Sequence, residues 1–166
     1  MIISRLAFVV AAAVALSGCR RREITPLQRD EAANMVSEAD FAATIREWSR
    51  AEGLYAQAVE LCPDVGDTWV SLGIARMRLG DHGGARQAFK SAASAYKDDS
   101  DANPTHSRSV LHRAYVLVLL GRADEARSSV DKAHEKFPED RLLSEFIDNA
   151  TVDKLTADPA LKDITP

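Results

Sequence analysis

At 166 residues, with 46% hydrophobic and 28% charged side chains, the chain has the length of one domain and too many apolar residues for disorder. Its 21 basic and 25 acidic residues leave a net charge of −4, against the cationic clustering on which nucleic-acid binding rests. Two cysteines, eight glycines and six prolines exclude disulfide-stapled and fibrous chains, while 27 alanines, the best helix formers, predict an all-α protein.

Met1–Arg5 carries one positive charge, and Leu6–Leu16 (LAFVVAAAVAL) is an unbroken apolar run. The run is far shorter than the about 20 residues that span a bilayer, and it has the length of a signal-peptide apolar region. Leu16-Ser17-Gly18-Cys19 follows and resembles the lipobox of bacterial lipoproteins. The resemblance implies a diacylglycerol thioether on Cys19, cleavage between Gly18 and Cys19, and acylation of the new amino terminus. An ordinary secretory signal with a chance cysteine, or an N-terminal membrane anchor, are the alternatives. The residue after Cys19 is Arg20 and not Asp, which under the enteric sorting rule favours the outer over the inner membrane. The expected location is therefore the cell envelope, on its periplasmic side. Cleavage leaves Cys19–Pro166, 148 residues with a net charge of −5 after the loss of Arg5. Residues 19–31 then form a tether. Arg20–Arg22 within it can attract anionic headgroups at about 1 kcal/mol per charge, or serve only as a solvated spacer.

Beyond the tether, Gly66–Asp99 places Trp69, Leu72, Gly73, Gly80, Ala85, Phe89 and Ala92 at positions 4, 7, 8, 15, 20, 24 and 27 of a 34-residue unit. This resembles the tetratricopeptide repeat (TPR) pattern W-x2-L-G…G…A-x3-F-x2-A. The small residues Gly73 and Ala85 stand where two helices of a hairpin approach most closely, and Gly80-Asp81 suits a left-handed helix stop followed by a helix start. One unit earlier, residues 32–65 repeat Ala51, Tyr55, Ala58 and Pro63, but Arg46-Glu47 replaces the glycine turn. Here the hairpin turns elsewhere, or Phe41–Leu61 runs as one helix. One unit later the step is 41 residues, so Asp98–His106 contains an insertion. Residues 107–140 then resume the pattern with Ala114, Gly121, Ala126, Ala133 and Pro138. Tyr115–Leu120 (YVLVLL) could be mistaken for a strand, but with no second strand pattern to pair with it reads as helix. Leu142, Leu143, Phe146 and Ile147 form one apolar helical face, so residues 141–150 are expected to cap the stack. Residues 151–166 form a tail. The fold implied is an α-solenoid of about three TPR hairpins with a C-terminal capping helix.

No catalytic set assembles from the sequence. His106 and His112 are six residues apart, not the four that share a helix face for a metal pair. His82 falls in a turn and His134 late in a helix. Cys62 is the one thiol left after lipidation, a packed free thiol or a site of pairing between molecules. Gly80, Gly83 and Gly84 lack the spacing of a phosphate loop, and no nucleophile elbow or zinc helix is present. The chain is accordingly expected to be no enzyme, with no cofactor beyond the lipid on Cys19 and no metal.

The TPR resemblance implies that the first helix of each hairpin lines a concave face. The lining residues would be Asp67, Val70, Ile74, Met77 and Arg78 in the second repeat. In the third they would be Arg108, Leu111, Tyr115, Val118 and Leu119, and in the first Ala33, Val36, Asp40, Ala43 and Thr44. This surface is apolar with charges at its edges, suited to an amphipathic helix or an extended apolar segment of a protein partner. The function expected is a lipid-anchored adaptor, by analogy with TPR lipoproteins of pilus and secretion-system assembly. The alternatives are a homo-oligomer closing its own groove, a groove filled from within the chain, and an accessory subunit of an envelope enzyme.

Overall fold

The first helix begins where the sequence offers its N-terminus a cap. Thr25 Oγ1 accepts from the Gln28 backbone N–H at 3.3 Å, Gln28 Oε1 accepts from the Thr25 N–H at 3.0 Å, and Pro26 takes the first helical position. In the computed structural model, which describes residues 23–162, α1 therefore spans Pro26–Thr44 and reaches back into the expected tether. Gly18, Cys19 and Arg20–Arg22 lie outside the described residues. The further helices are α2 (Trp48–Leu61), α3 (Gly66–Arg78), α4 (His82–Ala102), α5 (Ser107–Leu119), α6 (Ala123–Lys136), α7 (Arg141–Asp148), α8 (Thr151–Ala157) and the single turn α9 (Pro159–Lys162). No strand occurs among the described residues.

Three hairpins, α1–α2, α3–α4 and α5–α6, repeat the same two turns. Inside each hairpin the chain reverses at a residue with positive φ: Arg46 at 62°, Gly80 at 80° and Gly121 at 73°. In each, the following N–H closes back on a carbonyl five residues earlier: Glu47 on Ala42 at 2.8 Å, Asp81 on Arg76 at 2.9 Å, Arg122 on Leu117 at 2.8 Å. This is the Schellman closure, which uses carbonyls the helix end leaves unpaired. The first hairpin thus turns at Arg46 like the others, and Phe41–Leu61 is not one continuous helix. Between hairpins, the C-caps Cys62, Asn103 and Phe137 share φ near −129, −127 and −131° and each precedes a proline. The proline ring excludes the helical conformation for the residue before it, which stops the helix there. Pro104 is therefore the second repeat's terminal proline, and the inserted residues lie before it as further turns of α4. Lys97 pairs with Asp101 one turn on, and Asp99 accepts from Asn103 Nδ2 at 3.0 Å and from Ser109 Oγ on α5.

Consecutive helices pack on one another, and four apolar clusters follow along the stack. The small positions are set by close approach. A Cβ on Gly73 would stand 2.5 Å from Cε1 of Phe89, whose ring is fully buried. Ala39, Ala51, Ala85, Ala114 and Ala126 are also completely covered. Trp69 packs against the clusters on both sides of it, and its indole N–H donates to the Pro63 carbonyl at 3.0 Å. Burying Phe89 contributes about 2–3 kcal/mol by transfer from water, which helps fix the spacing of α3 and α4.

At the C-terminal end the apolar face divides. Leu143 and Phe146 are buried in the last cluster, whereas Leu142 and Ile147 remain exposed. The fold does not stop at residue 150. Ala150 turns the chain with φ of 47°, and α8 packs on α5 and α6, burying Val152 beside Leu143 and Phe146. An Arg127–Asp153 ion pair ties α6 to α8. The cap is therefore a short helical hairpin in place of a single helix.

Candidate protein-interaction groove

The expected concave lining falls on α1, α3 and α5, and residues of that lining also hold α3, α4 and α5 in register. Asp67, in the first turn of α3, accepts from the Tyr96 hydroxyl of α4 and lies 3.3 Å from Nδ1 of His112 on α5. Tyr96 and His112 meet edge to face at 5.3 Å between ring centres. Asp67, expected at the groove edge, is thus a junction between three helices. Burial, and then the hydrogen bond to Asp67, push the Tyr96 hydroxyl pKa upward. A parallel arrangement closes the first hairpin. Tyr55 on α2 donates to Asp40 Oδ1 at 2.6 Å, and burial followed by that bond pushes its pKa up to about 12.

Of the apolar groove positions, Val70, Ile74 and Leu111 are half-buried and Tyr115 is 42% exposed. Tyr115 stands edge to face against Phe146 of α7, with ring centres 5.7 Å apart, so the cap fixes its orientation. Met77, Val118 and Leu119 were expected on the same face but are less than 9% exposed, which withdraws them from direct contact with a ligand. Met77 and Leu119 belong to the cluster on which Leu161 of α9 packs, and Val118 to the cluster closed by α7 and α8. Arg108 is exposed; Arg78 is exposed and places its guanidinium over the Trp48 ring at 5.9 Å. In the first repeat Ala33, Asp40 and Thr44 are exposed, and Val36 and Ala43 half-buried. Asp40 is taken by Tyr55 and its carbonyl by Thr44 Oγ1 at 2.8 Å, so this part of the face offers little free polarity.

Sequence reasoning missed an apolar edge next to the hairpin turns. Phe41, Ile45 and Leu79 are 61, 48 and 45% exposed. Ile45 and Leu79 stand one repeat apart, immediately before Arg46 and Gly80; Leu120 holds the same place before Gly121 but is buried. An apolar residue recurs just ahead of each turn, but the pattern alone does not separate the exposed Ile45 and Leu79 from the buried Leu120.

The remaining chemistry-bearing residues do not converge. Among the described residues, no group of three His, Cys, Asp or Glu side chains could hold a metal ion. His82 and His106 are exposed, and His134 is half-buried. Cys62 is buried, its thiol directed at the Gln28 carbonyl at 3.6 Å, and burial pushes its pKa up. A thiol so placed is a poor nucleophile and cannot pair with another molecule without local opening. An open cleft of about 830 Å³ lies between the N-terminal segment, α1 and the C-terminal halves of α2 and α4, with Trp69 of α3 also on its wall. Its lining is a mixture of acidic, small and apolar residues, including Glu60, Asp64, Ala95 and Asp98. Among the described residues no helix is long and apolar enough to cross a membrane.

The repeated hairpin, its two recurring turns and its small-residue contacts define an all-α array of the tetratricopeptide type. In agreement, residues 37–100 match a family model described as Tetratricopeptide repeat. Among solved structures, the chain is similar to the Arabidopsis OM64 TPR domain, with a TM-score of 0.45 and 16% identity over 76% of this chain and 98% of that one. It is also similar to the Yersinia enterocolitica type III secretion chaperone SycD, solved with a peptide of the translocator YopD. There the TM-score is 0.48 and the identity 19%, over 83% and 97% of the two chains. No curated protein sequence matches the chain.

Proposed function

We propose that this protein is a non-enzymatic adaptor that captures a protein or peptide partner in its concave groove while a lipid on Cys19 holds it in the bacterial cell envelope. The observation that carries the binding half is the stripe Val70, Ile74, Leu111 and Tyr115, solvent-accessible on a TPR-type array and edged by Asp67, Arg78 and Arg108. Such a stripe, about as long as two turns of helix, suits the apolar face of an amphipathic segment. The anchoring half rests on the sequence Leu16-Ser17-Gly18-Cys19. On this reading the protein faces the periplasm, at the outer in preference to the inner membrane, and serves assembly of an envelope structure of the pilus or secretion type.

The test is in-cell crosslinking of the full chain followed by mass spectrometry. Ile74→Asp with Tyr115→Asp should abolish capture of the partner while leaving helicity unchanged; undiminished capture refutes the groove. For the anchor, Cys19→Ser should move the protein from the membrane to the soluble fraction, and retention in the membrane refutes lipidation.

A further inference from the structure

Three of the expected groove's apolar positions are already covered, and the chain's own end packs against the cluster that contains two of them. Met77 and Leu119 stand at concave positions of adjacent repeats yet are 8 and 7% exposed, and Leu161 packs against the cluster they belong to. Val70 and Ile74, half-buried on the same stripe, pack against that cluster as well. The route is short. Helix α8 lies on α5, which forms one wall of the groove, and only Asp158 separates it from α9. The sequence of this last turn is built to present a leucine. Pro159 pre-sets the first helical position, and the Leu161 N–H donates to the Asp158 carbonyl at 3.2 Å.

We propose that the turn Pro159–Lys162 is the groove's own occupant, seating Leu161 between α3 and α5 as an in-chain ligand. This deepens the adaptor reading and rests on it in one respect: an external partner must present the same chemistry, a short helical segment with a leucine-class anchor, and must displace the turn. Because the turn is tethered, it competes at an effective concentration of about millimolar whatever its intrinsic affinity.

The seat is tested first without any partner. In the full chain carrying Cys19→Ser and Cys62→Ser, cysteines at Ile74 and Leu161 should be bridged within one molecule by a short bismaleimide; absence of the bridge overturns the proposal. Leu161→Asp in the same background should raise maleimide labelling of the cysteine at position 74 about tenfold, the population shift expected for unseating a half-buried leucine. An unchanged rate likewise overturns it. The ligand class is tested with a fluorescent peptide of the chain's own residues 151–166. It should bind the full-length Leu161→Asp chain about tenfold more tightly than the native chain, and equal binding to both overturns the competition. If the bridge forms and the peptide binds but no partner is captured in cells, the adaptor reading fails and the in-chain occupant stands.

Discussion

Arg46→Gly should stabilise this protein, and Gly80→Ala should destabilise it by a similar amount. The two residues occupy the same place in successive hairpins, with φ of 62 and 80° and the same backbone closure behind them. A left-handed conformation costs a residue bearing a Cβ about 1–2 kcal/mol. Glycine avoids that cost but gives the unfolded chain more freedom, an opposing effect of about 0.4–1 kcal/mol. The difference leaves Arg46→Gly stabilising by about 0.5–1 kcal/mol. Neither site adds a packing contribution. Space around a Cβ on Gly80 is open to 4 Å, and among the described residues the Arg46 guanidinium has no ion-pair partner. Thermal unfolding followed by circular dichroism at 222 nm would measure both variants, with a shift in melting temperature of about 2–4 °C expected for each kcal/mol. A neutral or destabilising Arg46→Gly, beside a costly Gly80→Ala, would refute the backbone argument and mean that the first turn is held by something other than its φ.

Other outcomes follow from contacts already described. Gly73→Ala forces a methyl group to within 2.5 Å of the fully buried Phe89 ring and should cost about 1–3 kcal/mol, with Phe89→Leu recovering part of the loss in a double-mutant cycle. Asp140→Ala removes the acceptor for the Leu142 and Leu143 N–H groups and should cost about 1 kcal/mol in urea unfolding, loosening the cap first by hydrogen exchange. The buried tyrosines predict an alkaline limit. A tyrosine in the unfolded chain titrates near 10, whereas Tyr55 in the fold is pushed up to about 12 and Tyr96 is also raised. The neutral hydroxyl is the form the fold favours, so this stability is complete below pH 10 and is lost as pH climbs from about 10 to about 12. Tyr55→Phe should flatten that decline, and an unaltered pH profile would rule out Tyr55 as its source.

The hairpin array was legible because its determinants are local and repeat. Gly73, Ala85 and Phe89 declare a close helix crossing, and Gly80-Asp81 declares the turn within it. The first turn was not legible at Arg46, since left-handed φ is a preference for glycine and not a requirement; the closure onto the Ala42 carbonyl enforces it on arginine. Helix was hidden in Asp98–Ala102 because five polar or small residues carry no periodic apolar signal. Their helix is supported by the Lys97–Asp101 pair and by the proline placed beyond it. Helix α8 escaped notice for a related reason: Val152 and Leu155 are its only sizeable apolar residues, too few to show a face. Repeat positions chose the expected groove lining but did not distinguish Val70 and Ile74, which are half-buried, from Met77 and Leu119, which are buried. That distinction comes from a cluster drawn from α3, α4 and α5, residues far apart in sequence, and no local pattern carries it.

The extra length of α4 has a geometric meaning for how such a stack can grow. Each residue turns a helix by about 100°, so seven residues turn it by almost two full revolutions and leave a mismatch of only about 20°. The third hairpin therefore emerges facing the same way as the second, displaced along the axis but hardly rotated. An insertion of five residues would have swung it through roughly 140° and turned its apolar side away from its neighbour. Length in this architecture is quantised: a helix can lengthen by whole pairs of turns while the stacking order and the common concave side survive, and the turns before the next proline are where such a step is absorbed.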